Sequence, residues 1–212
     1  MIGHRPAIQH LVGLAVFIGL AGCAVTDPTQ YFTLGQTERR NIEPRPSTPT
    51  SPSSATGTRM VGIGVGPVIM PGYLDRIQVV TRTDADHVEL STFNRWAEPL
   101  NEGIARILAE EIAARVPTER IVTFPWRGVT ARDIQYQVVV VVLRFDGKLG
   151  GDLTLDARWR ILDRDGAELA FRRSTVTEAA AGSGYGQMVA AMTRAAVTLG
   201  QEISAEIGTV RR

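Results

Sequence analysis

Cysteine, histidine, aromatic side chains and any excess of charge are what this chain lacks. One of its 212 residues is Cys, so no intrachain disulfide can form and a disulfide scaffold is excluded. Three are His, and His4 and His10 fall within the first ten residues. His87 alone lies beyond them, too few for a His-based metal centre. Lys and Arg number 23 against 22 Asp and Glu, so no bulk basic footprint for nucleic acid exists. No G-x-S-x-G or H-E-x-x-H pattern occurs, and with one His left to act as base the chain is read as no enzyme. The apolar run Leu11–Ala21 is half the roughly 20 residues needed to cross about 30 Å of hydrocarbon.

That short run is nevertheless informative. A start carrying Arg5, an apolar core and small residues at its end make a secretory signal over residues 1–22. Leu20-Ala21-Gly22-Cys23 has the form of a bacterial lipobox, with a branched residue and two small ones before a lipid-accepting cysteine. Cleavage there leaves Cys23 as the first residue. It is expected to carry diacylglyceryl and acyl (palmitate-type) chains, the one covalent group and no other cofactor. Several chains, at about 0.8 kcal/mol per buried CH₂, hold a protein on a membrane without a spanning helix. Ala24 follows where inner-membrane lipoproteins commonly carry Asp, so an outer-membrane anchor facing the periplasm is expected. Removing Arg5 leaves basic and acidic residues equal, and bulk charge then selects no partner.

Residues 23–30 read as a lipidated tether, and Tyr31-Phe32-Thr33-Leu34 as a candidate first strand. Residues 35–58 are dense in Pro, Ser and Thr and cannot bury enough apolar surface to order themselves. A globular domain is expected over 59–212. Val61, Ile63 and Val65 alternate with Gly62, Gly64 and Gly66, giving a strand with one bare face that another element can approach. Pro67 and more apolar residues follow instead of a helix, which argues against a phosphate loop. Strands are expected at 76–82, 87–92, 119–124, 134–145, 152–161 and 167–177, His87 being an ordinary strand residue. The run Val138–Leu143 is continuously apolar, as in a strand covered on both faces. Helices are expected at 96–115, with Pro99 near its first turn, and at 185–207. The fold class is α+β: a mostly antiparallel, mixed sheet with two long helices packed on one face. Its second face then needs a subunit, a partner or lipid to cover it.

Several of these segments resemble one family. The lipobox, Tyr31–Leu34, Val65-Gly66-Pro67 and Gly72-Tyr73-Leu74-Asp75-Arg76 are similar to those of PqiC-type lipoproteins, the ABC-transport auxiliary lipoproteins. So are Phe93–Leu100 and the closing helix around Val189–Met192. The resemblance implies a non-enzymatic outer-membrane component of an MCE-type, Pqi-like lipid transport system that supports membrane integrity. Its implied partner is a periplasmic MCE-domain protein, and its implied membrane contact is the lipid anchor. A homo-oligomeric ring matching a symmetric tube is an expectation from symmetry alone. The alternative function is a stand-alone periplasmic lipid-binding carrier.

Tyr73, Leu74, Asp75 and Arg76 are the candidate docking loop, because aromatic, apolar and charged side chains after a turn suit an interface hot spot. The competing reading has Tyr73 and Leu74 packed beneath the turn, with Asp75 and Arg76 stabilising it.

Overall fold

The computed structural model describes residues 28–35, 61–126 and 133–211. The signal segment, Cys23 and nearly all of the Pro/Ser/Thr-rich stretch lie outside these residues. Strands β1 (Gln30–Phe32), β4 (Val88–Trp96) and β3 (Gln78–Arg82) form a three-stranded sheet in that order. A second sheet has the order β5 (Thr118–Thr123), β2 (Val61–Ile69), β6 (Ile134–Gly147), β7 (Asp152–Asp163), β8 (Glu168–Ala179). In it β2 runs parallel to both neighbours, while β6, β7 and β8 are antiparallel. Helices α1 (Leu100–Arg115) and α2 (Tyr185–Val210) pack on one face of this sheet and against each other.

Period-2 patterning explains the core. Leu153, Leu155, Ala157, Trp159 and Ile161 of β7 point towards α2 and are buried, as are Val138, Val140 and Val142 of β6. Ile104, Leu108 and Ile112 of α1, with Met188, Met192, Leu199, Ile203 and Ile207 of α2, supply the facing stripes. The bare face of β2 is approached closely: a Cβ added at Gly64 would sit 3.0 Å from the Trp126 ring and the Ile134 side chain.

Helix contact also needs a bare position. A Cβ on Gly200 would lie 2.8 Å from the Glu111 Cβ of α1. Gly200→Leu should therefore destabilise by about 1–3 kcal/mol in denaturant unfolding, although glycine gives way to a better helix former. An unchanged or raised midpoint would show that the helices can separate freely.

Most boundaries shift by one to three residues, His87 falling just before β4, and two differences have a cause in neighbouring contacts. Trp96 ends β4 instead of opening the first helix, which starts at Leu100 after Pro99. The Trp96 N–H donates to the Ile77 carbonyl at 2.6 Å and the Ala97 N–H to the Phe32 carbonyl at 2.8 Å, so neighbouring strands claim this backbone first. Gln30–Phe32 is the strand in the N-terminal segment, paired in parallel with Asn94–Trp96. Leu34 follows it into the core, and the Gly35 N–H donates to Thr193 Oγ1 of α2 at 3.2 Å.

Candidate functional site

The turn after β2 places the candidate docking loop. The Leu74 N–H donates to the Pro71 carbonyl at 2.9 Å and the Arg76 N–H to the Leu74 carbonyl at 2.9 Å. This geometry splits the four residues between two sides. Leu74 is fully buried and Tyr73 half-buried, whereas Asp75 and Arg76 are exposed. Arg76 closes back on the turn, its guanidinium donating to the Gly72 carbonyl at 3.1 Å.

Beneath the turn lies a carboxylate with no exposure to solvent. The Tyr73 hydroxyl donates to Asp146 Oδ2 at 2.6 Å. Arg82 donates to both carboxylate oxygens, from Nε at 2.6 Å and Nη2 at 3.1 Å, and Arg144 Nε donates to Oδ1 at 3.0 Å. Burial alone would raise the Asp146 carboxyl, but the bonds from Arg82, Tyr73 and Arg144 outweigh it and hold the group below its usual range. Burial first, then the bond to Asp146, pushes the Tyr73 hydroxyl up to about 12. The bond to Asp146 is likewise the main reason that the Arg82 guanidinium is held even more firmly charged. The Asp146 charge is fully compensated and hydrogen-bonded, an arrangement suited to clamping the turn, β3 and β6 together.

Above it, Asp75, Arg76 and Ile77 meet Trp96, Ala97, Glu98, Pro99 and Leu100 around an open groove of about 320 Å³. Two segments some twenty residues apart in sequence thus form one surface. Ile77 is half exposed and supplies its apolar side chain to it. Glu98 is held by Arg106 Nη2 at 2.6 Å, and the same nitrogen donates to the Leu34 carbonyl at 2.9 Å. The groove is therefore braced by the segment through which the N-terminus enters the fold. A wider hollow of about 560 Å³ lies on the other side of Glu98, between α1 and β5, with Glu102, Glu110 and Arg106 at its rim. Among the described residues, no group of three or more His, Cys, Asp or Glu could hold a metal ion. Nor is any described helix long and apolar enough to cross a membrane.

The family model for the ABC-type transport auxiliary lipoprotein component matches residues 42–204, most of the chain. The chain belongs to this family. No curated protein sequence matches it. Among solved structures, this auxiliary lipoprotein is similar to an uncharacterized protein at 19% identity and a TM-score of 0.65, covering 85% of this chain and 99% of that one. It is also similar to a Xanthomonas campestris protein of the DUF330 family at 14% identity and a TM-score of 0.61, covering 76% of this chain and 90% of that one. At these identities the likeness speaks for the fold alone.

Sequence reasoning placed the turn and Trp96–Leu100 but missed Arg82, Arg144 and Asp146. Asp146 is 64 positions from Arg82 and 73 from Tyr73, and in the sequence it reads only as a turn residue after the strand expected at 134–145, whereas β6 runs on through it to Gly147.

Proposed function

We propose that this auxiliary lipoprotein is acylated at Cys23, sits on the outer membrane facing the periplasm, and docks an MCE-domain protein of a Pqi-like lipid transport system. The observation that carries this reading is the groove: its two walls, 75–77 and 96–100, converge beside the entry of the N-terminal strand. Gln30 lies seven positions after Cys23, a reach of at most about 25 Å when extended. A domain tied this closely to a membrane presents its groove at a restricted height, where a partner spanning the periplasm would end.

The docking loop becomes Asp75, Arg76 and Ile77, because Leu74 is buried and Tyr73 is committed to Asp146. The test is affinity capture of the lipidated full chain from gently solubilised envelopes, with proteins and lipids identified by mass spectrometry. An MCE-domain protein should be recovered, and Arg76→Ala with Ile77→Ala should weaken its binding about 10- to 30-fold, the range of a hot-spot pair, with no fall in Tm. Full binding by that variant removes the groove from the interface. Stoichiometric lipid on the domain without any MCE-domain protein would favour the stand-alone carrier.

A further inference from the structure

The helices cover one face of the five-stranded sheet; on the other, where Val139 is buried, the described residues lying over it are at its ends. Trp126 lies over Gly64 at one end, and the Tyr73–Arg82–Asp146 cluster closes the other. The strand register lays out the middle. Ile69, Val141, Arg158 and Arg173 form one row across β2, β6, β7 and β8, and Val139, Arg160 and Phe171 form the next. Residues paired across strands share a face, so both rows point away from the helices.

These rows hold three guanidiniums and no carboxylate. Asp156, in the adjacent row, pairs with Arg173 at 2.6 Å, and Glu168 sits at the margin opposite Leu162. Arg158 and Arg160 form no ion pair among the described residues. Arg158 and Arg173 stand directly opposite each other, and Asp156, bonded to Arg173 through both oxygens, offsets only one of these two charges. Ile69 and Phe171, about half exposed, flank the guanidiniums at the two ends of the rows.

We propose that this helix-free face docks on an anionic phospholipid bilayer. Arg158 and Arg160 would meet the lipid phosphates beside the Arg173–Asp156 pair, while Ile69 and Phe171 enter the interfacial layer. Charge complementarity selects the headgroups, since the adjacent guanidiniums of Arg158 and Arg160, beside the Arg173–Asp156 pair, leave this face with a net positive charge that matches a sheet of phosphates. The flanking aliphatic and aromatic side chains select a bilayer over a soluble anion, because the interface takes up both types together. The inference rests on the lipoprotein reading only in that the Cys23 anchor keeps this face close to lipid.

The test uses the lipidated full chain bearing Phe171→Cys, labelled with an environment-sensitive fluorophore and placed on phosphatidylcholine vesicles with or without phosphatidylglycerol. Flotation with the neutral vesicles reports the anchor. Protection of the probe from an aqueous quencher reports the face. Protection is expected only with phosphatidylglycerol and should be lost at high salt. Arg158→Gln with Arg160→Gln should lower the docked-to-undocked ratio about 30-fold, at about fivefold per charge. Arg172→Gln with Arg194→Gln, which removes two charges from the helix side, should leave it unchanged.

Flotation with a probe that stays in water on both vesicle types would overturn the proposal and leave an acidic protein surface as the occupant. Protection without vesicles would overturn it in favour of a second copy. If the chain fails to float with neutral vesicles, the anchor reading falls. Binding to phosphatidylglycerol vesicles then reads the face directly, supporting it if lost in the Arg158/Arg160 variant and overturning it if never seen.

Discussion

Asp146→Ala should lower the unfolding free energy by about 3 kcal/mol, because removing one partner of a buried ion pair strands the other. Arg82, only 18% exposed, would lose two hydrogen bonds, and the Tyr73 hydroxyl its acceptor. Arg144, 40% exposed, can turn to water and adds little. For a domain of this size the loss corresponds to a fall in Tm of about 6–12 °C by calorimetry. Asp146→Asn keeps the shape and an acceptor for Tyr73 and should cost less than the alanine variant; equal losses would assign the effect to packing alone.

The same cluster sets a pH dependence at both ends. Asp146 titrates lower in the folded chain than in the unfolded one, so its contribution is complete above about pH 4 and is lost as pH falls through the folded value. Tyr73 titrates higher when folded, so its contribution is complete below about pH 10 and is lost as pH rises through about 12. Asp146→Asn should flatten the acid limb of a stability–pH curve, and Tyr73→Phe the alkaline limb. An unaltered acid limb in Asp146→Asn would place the acid-sensitive group elsewhere.

Trp159→Ala should cost about 3–5 kcal/mol in denaturant unfolding, the range for deleting a buried aromatic side chain. Trp159 is almost fully buried on β7, and its indole N–H donates to Ser174 Oγ at 2.9 Å. The Ser174 hydroxyl in turn donates to Glu202 of α2, so the ring both fills the core and anchors a polar link from sheet to helix. Trp159→Phe should cost less than half as much, retaining most of the volume and losing the hydrogen bond. If both variants cost the same, the polar link outweighs the packing.

The sequence by itself determined the elements that rest on periodicity. Ile63 and Val65 on β2, Leu153 to Ile161 on β7 and the stripes of both helices are legible because alternating or 3.6-residue spacing follows directly from backbone geometry. The lipobox and the Gly72–Arg76 and Trp96–Leu100 segments likewise pointed to the family before any fold was known, since they are local strings. What the tertiary structure decided is what depends on distant contacts. The end of β4 at Trp96 is set by backbone bonds to Ile77 and by pairing with Phe32, 64 positions away, against a local pattern that favours helix. Tyr73 and Arg76 are three positions apart and alike in sequence as docking residues. One is bound to a carboxylate 73 positions away and the other faces solvent, because the turn rotates successive side chains to opposite sides. The joining of Arg158, Arg160 and Arg173 into one cluster needed the register of β7 against β8, since cross-strand pairing, not chain order, decides which charges are neighbours.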